Sequence, residues 1–259
     1  MISNRKDKMI KKEATRKNNI NIPYLLWERD PNKVMIFIEG SGLQTNKERI
    51  TPLAEILHDQ PYSFCSFSYN GIEEGLESSV TEKSKDLKAL ISDLQSNGYD
   101  EFILVPTSQG FVTTVKMLLE QDLDIDISRI ILLDPADYYT NDSTPFAWSG
   151  RDEFKPNGEV YSEKLKDLSI DCPIDVVYFS TRIWDPTYPE MSYYERGIDK
   201  PHGIPRLNKD MVVNIYENIP DDKRGEFIES PSLPHGLFVY GDIEKNMEAL
   251  RGLFIRLIK

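Results

Sequence analysis

Residues 105–114 of the sequence read VPTSQGFVTT and contain a serine whose surroundings suggest chemistry. The preceding apolar letters FIL predict a buried strand, and the following VKMLLE predicts a helix. Ser108 therefore lies where a strand turns into a helix, and Gly110 leaves room for a sharp turn. A serine at such a place either caps the helix or presents its hydroxyl as a nucleophile.

Short apolar runs alternate along the chain with amphipathic helical patterns. Near-continuous apolar runs of this length are typical of strands that are buried on both faces of a parallel sheet. The runs are residues 34–38, 102–105, 130–133 and 176–179, with 63–69 as a less apolar fifth. Alternation of strands and helices predicts an α/β fold, with a mostly parallel central sheet and helices on both of its faces.

Several helix ends can be predicted from short signals. Thr51, followed by a proline, predicts a helix start, and Ser79 with Glu82 has the pattern of a capping box. Gly98 follows the last apolar position of the second helix and predicts its end. The last helix is expected to turn a stripe that begins at Ile243 towards the core.

The whole chain, residues 1–259, is interpreted as a single domain. Two stretches rich in aromatic, proline and polar residues, 138–170 and 186–207, interrupt the alternation and are predicted to be loop or lid segments over the sheet. At the N-terminus, residues 8–17 are expected to pair with 20–28 as a charged edge hairpin, and residues 1–7 are expected to be flexible.

The overall charge argues against two classes of partner. The sequence has 31 basic and 43 acidic residues, a formal net charge of −12. Such a surface repels nucleic acid phosphates and anionic lipid head groups, so neither is an expected partner. No run approaches the 18 apolar residues of a membrane span, and the basic N-terminus lacks the apolar segment of a secretory signal. These features predict a cytoplasmic protein, and they indicate no particular oligomeric state.

Cysteine and histidine usage gives no sign of a metal site. Cys65 and Cys172 are too few to form a disulfide framework and favour a reducing compartment. The sequence contains three histidines and neither an H-E-x-x-H nor a C-x-x-C motif. We therefore expect neither a metal nor another cofactor.

The carboxyl ends of the predicted parallel strands carry most of the reactive residue types. Ligands of such sheets bind outside these strand ends. The segments that follow the strands are 39–42, 106–110, 134–137, 180–185 and 231–235. They bring together Ser108, several acids and His235. A serine hydroxyl needs a base to become nucleophilic, and the base needs an orienting carboxylate.

The order Ser108, Asp185 and His235 along the chain is nucleophile, acid, base. In this order, and in its strand–Ser-x-Gly–helix segment, the sequence resembles the α/β-hydrolase superfamily, whose turn motif is G-x-S-x-G. The resemblance covers about residues 9–259. It implies that Ser108 is the nucleophile, His235 the general base and Asp185 the acid that orients the imidazole.

The resemblance also implies an oxyanion hole and a class of substrate. One backbone N–H would come from the residue after the nucleophile, Gln109, and the other from the loop after the early strand, at Ser41. The implied activity is that of a serine hydrolase of the carboxylesterase, lipase or thioesterase type. Its substrate would be a small-molecule ester or related acyl compound, and its mechanism needs no cofactor.

Three alternatives remain open from the sequence. Asp134 also follows a strand, and some lipases of this superfamily take their acid from that earlier strand. Pro106 replaces the first glycine of the motif and Glu39 stands where many members have histidine. These two departures motivate the alternative of a catalytically silent member that binds a small molecule or protein in the same cleft. Gly40 and Gly42 suggest a dinucleotide fingerprint, but its third glycine is absent.

Overall fold

The computed structural model describes residues 8–40, 47–73, 78–120, 124–137, 161–180, 209–234, 237 and 242–258. Eight strands are found in these residues: β1 Lys8–Thr15, β2 Asn21–Glu28, β3 Lys33–Ile38, β4 Ser63–Phe67, β5 Glu101–Ser108, β6 Asp126–Pro135, β7 Ile174–Phe179 and β8 Arg224–Ser230. The α-helices are α1 Thr51–Ile56, α2 Val80–Ser96, α3 Gly110–Leu119, α4 Lys209–Glu217 and α5 Ile243–Leu257. The predicted flexible residues 1–7 and the predicted lid 186–207 lie outside the described residues.

The eight strands form one sheet in the order β1-β2-β4-β3-β5-β6-β7-β8. Strands β4, β3, β5, β6, β7 and β8 run parallel, whereas β2 pairs antiparallel with both β1 and β4. The predicted N-terminal hairpin is therefore confirmed, with Lys8 opposite Glu28 and Thr15 opposite Asn21. The parallel strands place their carboxyl ends at one edge of the sheet, where the candidate residues were expected.

Two hydrophobic cores cover the two faces of the sheet. Successive residues of a strand point to opposite faces. Leu104 and Leu132 belong to the core that also contains the buried faces of α2, α3 and α4. Ile103 and Ile131 belong to the other core, with α1 and α5. The predicted α/β fold with helices on both faces of a mostly parallel sheet is confirmed.

Two helix ends follow the predicted signals. The Ser79 side chain caps α2 by accepting a hydrogen bond from the backbone N–H of Glu82, at 3.3 Å. Gly98, which ends the helical pattern, has a φ of 98°. This left-handed backbone conformation is one that glycine adopts without the steric cost that a β-carbon imposes.

Two other helix predictions are wrong. Thr51 does not cap α1, because a 3-10 helix, Lys47–Ile50, leads directly into it and Ile50 occupies the cap position without a side-chain bond. Ile243 is 39% exposed rather than directed into the core, since it lies in the first turn of α5 at the end of the stripe. The later apolar residues of that helix, from Met247 onwards, are buried as expected.

Part of the first predicted lid lies against the body of the domain. Tyr161, Leu165 and Leu168 are buried in the core, around a 3-10 helix at Ser162–Asp167. The Asp137 carboxylate accepts hydrogen bonds from the backbone N–H groups of Tyr161 and Ser162, at 2.9 and 3.1 Å. The end of this segment thus packs on the sheet beside the carboxyl end of β6, and residues 138–160 lie outside the described residues.

None of the helices in the described part of the chain is both long enough and apolar enough to cross a membrane.

Candidate active site

The turn between β5 and α3, residues 107–110, is called the Ser108 turn below. Ser108 is the last residue of β5 and has a φ of 51°. This left-handed conformation is uncommon for residues other than glycine and costs about 1–3 kcal/mol, so it persists only where the surrounding structure imposes it. The cap of α3 is Gln109, without a side-chain cap bond, so Ser108 does not serve as the helix cap.

Two glycines allow the Ser108 turn to lie against the end of β3. A β-carbon on Gly110 would collide with the carbonyl oxygen of Ile38. A β-carbon on Gly40 would lie 2.9 Å from both the amide nitrogen of Gln109 and the β-carbon of Ser108. Real β-carbons do not approach other atoms so closely, so the packing requires glycine at both positions.

Pro106, which replaces the first glycine of the expected motif, belongs to the strand before the Ser108 turn. It lies inside β5, buried and opposite Ile38 of β3. Proline lacks a backbone N–H and is rare in central strands, where it is found mainly at irregular positions. Such an irregularity lies close to Pro106 along β5, because the pairing of β5 with β6 changes register after Thr107.

The register change between β5 and β6 is a β-bulge at Asp134. Thr107 pairs with Leu133, but Ser108 pairs with Pro135, so Asp134 is the extra residue on β6. Asp134 has a φ of 44°, which makes it a second left-handed residue beside the serine. Bulges are frequent next to active sites, where they redirect side chains.

Asp134 is held in place by the neighbouring strand end. Its side chain is buried, and Oδ1 accepts a hydrogen bond from the backbone N–H of Phe179 at 3.2 Å. On the other side of the bulge, the N–H of Ala136 donates to the carbonyl oxygen of Ser108 at 3.0 Å. Asp134, the alternative candidate for the acid, therefore lies at the same edge of the sheet as Ser108. Its side chain accepts a hydrogen bond from the backbone of β7 there.

Gln109 supplies a backbone N–H at the start of α3. The first N–H groups of a helix have no partner within the helix and can bind a negatively charged oxygen. The Gln109 carbonyl already accepts from the N–H of Thr113 at 3.2 Å, which starts the helix. The Gln109 side chain is buried, and its Nε2 has no hydrogen-bond partner within the described part of the chain.

Glu39 is a buried carboxylic acid beside the Ser108 turn. It is 8% exposed, and its Oε1 makes no hydrogen bond to any described residue. Burial raises the pKa of Glu39 to about 7, against the opposing effect of the positive charges on Arg49 and Lys83. Over the described ranges, no three His, Cys, Asp or Glu side chains are grouped as a metal ion would require.

Glu39→Gln is expected to change the pH dependence of stability. Between pH 4.5 and about 7 the folded protein keeps a proton that the unfolded chain loses, so the free energy of unfolding falls as the pH rises. A shift of this size corresponds to about 2 to 3 kcal/mol between pH 5 and 8. Urea unfolding at both pH values should show this decline in the wild type and a smaller one in the variant.

Glu48→Gln provides the matched control for the Glu39 measurement, because it removes the negative charge of an exposed carboxyl group instead of a buried one. Its unfolding curve should follow the pH dependence of the wild type. Equal pH dependence in the wild type and Glu39→Gln would contradict the raised pKa of Glu39.

Three predicted site residues, Ser41, Asp185 and His235, lie outside the described residues. Ser108 and Gln109 are therefore the predicted site residues whose positions are described, and they are adjacent in the Ser108 turn. The other three follow strands whose ends are described. These strands are β3, β7 and β8, all with their carboxyl ends at the same edge as β5.

The chain on each side of His235 is anchored to the domain. Leu233 and Pro234 are buried before it, and Leu237 is buried after it. The Asn246 side chain, itself buried in α5, donates a hydrogen bond from Nδ2 to the carbonyl oxygen of Leu237 at 3.0 Å. The hydrogen bond ties the chain after the histidine to the first turns of α5, and Leu233 and Leu237 belong to the core that contains the buried face of that helix.

One buried group beside the site was missed in the sequence analysis. Lys83 of α2 has a relative exposure of 0%, and its Nζ donates a hydrogen bond to the carbonyl oxygen of Gly40 at 3.2 Å. The helical pattern does indicate that Lys83 is buried, because this residue lies on the apolar stripe of α2 between Val80 and Leu87. A charged residue on such a stripe must find polar partners in the interior.

The structure is similar over nearly its full length to solved hydrolases. Est1E from Butyrivibrio proteoclasticus has a TM-score of 0.60 at 10% sequence identity, covering 96% of this chain and 98% of that chain. The esterase Pf2001 from Pyrococcus furiosus has a TM-score of 0.60 at 15% identity, covering 98% and 94%. An alpha-beta serine hydrolase homologue from Coxiella burnetii has a TM-score of 0.58 at 14% identity and covers both chains completely.

Sequence comparison alone does not find these similarities. No family model matches the sequence, and no curated protein matches it. The similarity therefore lies in the path of the backbone. On this structural evidence, the chain has the α/β-hydrolase fold.

Proposed function

We propose that the chain is a serine hydrolase that cleaves a carboxylic ester or a related acyl compound through Ser108. The left-handed backbone of Ser108, at the point where β5 turns into α3, is the observation that carries the proposal. A strained conformation that the packing of two glycines maintains is typical of a functional residue. In this fold, the same turn presents a nucleophilic serine at the top of the sheet.

The proposed mechanism divides the reaction into acylation and deacylation. The Ser108 hydroxyl attacks the acyl carbon while His235 takes up its proton, and the imidazolium then protonates the leaving group. Asp185 orients His235 and stabilises its positive form. Water, activated by the same histidine, attacks the acyl-enzyme and releases the acid. All of these steps use side chains of this chain and water.

Stabilisation of the anionic intermediate is assigned to two backbone N–H groups. That of Gln109 is at the start of α3, where the helix has unpaired donors. The second would come from Ser41. The residue before it, Gly40, lies against the Ser108 turn. Each donor of this kind is worth about 3 kcal/mol of transition-state stabilisation.

The substrate class is supported by the structural neighbours. One of them is named an esterase and another is described as an alpha-beta serine hydrolase homologue. Because one fold can carry different chemistries, this support holds for acyl transfer in general and not for any particular ester.

A fluorophosphonate probe tests the proposal. The probe phosphonylates an activated serine, so the wild-type protein should be labelled, and peptide mass spectrometry should find the label on Ser108. Ser108→Ala should remain unlabelled. Ser128→Ala, a partly buried serine at the opposite end of the sheet, should label as the wild type does. An unlabelled wild type would instead favour a catalytically silent protein that binds a ligand in the cleft.

A further inference from the structure

Two side chains outside the predicted triad hold the chain that follows β3. The carbonyl oxygen of Glu39 accepts a hydrogen bond from the Tyr69 hydroxyl at 3.0 Å. The next carbonyl oxygen, that of Gly40, accepts from Nζ of Lys83 at 3.2 Å. The Lys83 ammonium also lies 5.2 Å from the centre of the Tyr69 ring, within the range of a cation–π interaction.

This Tyr69–Lys83 pair is fully enclosed. Tyr69 is 1% exposed and Lys83 is 0% exposed. Burial of a lysine ammonium is costly, and lysine is almost never fully buried in soluble proteins without partners that offset the cost. A leucine or methionine at this place on the apolar stripe of α2 would pack without that cost. Packing alone therefore does not account for a cation at position 83.

The Lys83 ammonium group and the Ser108 turn both contact Gly40. The carbonyl oxygen of Gly40 accepts a hydrogen bond from Lys83, and a β-carbon on Gly40 would lie 2.9 Å from the Gln109 amide nitrogen. Any displacement of Gly40 would therefore change the space in front of that amide. A buried positive charge that contacts Gly40 acts through a medium of low dielectric constant, in which it is only weakly screened.

We propose that Lys83, together with Tyr69, is a positioning residue that holds the Gly40 segment against the Ser108 turn and favours negative charge on the acyl oxygen bound there. The inference rests on the proposed function, because it assigns a part in acyl transfer to residues that do not touch the substrate. It requires that the cation affect the tetrahedral, negatively charged state more than the binding of neutral substrate.

Lys83→Met provides the test, because methionine keeps most of the side-chain volume and removes the charge. With p-nitrophenyl acetate as probe substrate, kcat should fall about 10- to 100-fold while KM stays within about threefold. The rate of fluorophosphonate labelling and the affinity for a phenylboronic acid should fall in the same proportion, since both form tetrahedral adducts at the serine. Lys85→Met, an exposed lysine of the same helix, should leave all of these values unchanged.

A role in packing alone would give a different pattern. It would lower the melting temperature of Lys83→Met but leave kcat and boronic acid affinity unchanged, and that result would overturn the inference. If Lys83→Met does not fold, Tyr69→Phe decides, because it removes only the hydroxyl that binds the Glu39 carbonyl. It should lower the labelling rate about threefold to tenfold, and an unchanged rate would overturn the inference.

The same experiments distinguish failure of the serine hydrolase proposal from failure of the role assigned to Lys83. If the wild-type protein is not labelled, the serine hydrolase assignment is wrong, and the role of Lys83 in it falls as well. If the wild type is labelled and a folded Lys83→Met is labelled at the same rate, only the role of Lys83 is wrong.

Discussion

Ser108→Ala is expected to lower kcat for ester hydrolysis by about 10⁶-fold, because it removes the oxygen that attacks the acyl carbon. The cleft and the backbone donors remain, so substrate binding should change little and a small residual rate over water should persist. Single-turnover measurements with p-nitrophenyl butyrate would separate binding from the chemical step. Hydrolysis within tenfold of the wild type would exclude Ser108 as the nucleophile.

Ser108→Gly gives a matched control that separates chemistry from backbone strain. Both variants lack the hydroxyl, so both should be equally inactive. Alanine retains the β-carbon that disfavours the φ of 51°, whereas glycine adopts this conformation freely. The glycine variant should therefore be more stable than the alanine variant by about 1 kcal/mol in urea unfolding. Equal stability would show that the left-handed serine is not strained.

Asp185→Asn is expected to lower kcat by about 10⁴-fold, the second largest effect. In the proposed triad, asparagine at this position would not stabilise the imidazolium of His235 and would favour the wrong imidazole tautomer. The loss should appear in kcat more than in KM, because the charge on the histidine develops only during the reaction. Steady-state kinetics with the same p-nitrophenyl ester would measure it.

Asp134→Asn is the control that distinguishes the two candidate acids. Its carboxylate accepts a hydrogen bond from the N–H of Phe179, and an amide oxygen can accept the same bond. The bulge should therefore persist and kcat should stay within about tenfold of the wild type. If Asp134→Asn shows the larger loss instead, the acid of the triad comes from β6 and Asp185 has another role.

The central part of the fold was predictable because local patterns and tertiary packing agree there. The buried parallel strands appear as uninterrupted apolar runs. The two residues that flank α2 also fit their places, because the Ser79 side chain caps its start and Gly98, beyond its end, adopts a left-handed backbone. The place of Ser108 between a strand and a helix was predictable for the same reason, because an apolar run precedes it, a helical pattern follows it and residue 110 is small.

The errors arose where neighbours in space override local signals. Thr51 has the residue type of a cap, but the 3-10 helix before α1 already occupies that place. The bulge at Asp134 depends on the pairing of two strands, which neither strand encodes alone. Lys83 was overlooked because the apolar stripe of α2 was judged by its hydrophobic members. Its partner, the Gly40 carbonyl, is 43 residues away along the chain.

The roles of Ser41, Asp185 and His235 stay predictions for a related reason. Each follows in sequence a strand whose carboxyl end lies at the same edge of the sheet as that of β5. Whether their side chains and backbone groups meet Ser108 depends on the course of the connecting segments, and residue order carries little of that information.

The contacts of Gly40 and Gly110 join β3, β5 and α3 through backbone atoms rather than through interchangeable side chains. None of these three elements should therefore slide or fray without the others, and the two strands lie in the middle of the sheet. Amides around Ser108 should consequently exchange with deuterium only when the entire domain unfolds. The activity proposed for Ser108 should then be lost in the same cooperative step as the fold. We expect no earlier stage at which the domain is still folded but the Ser108 turn is disrupted.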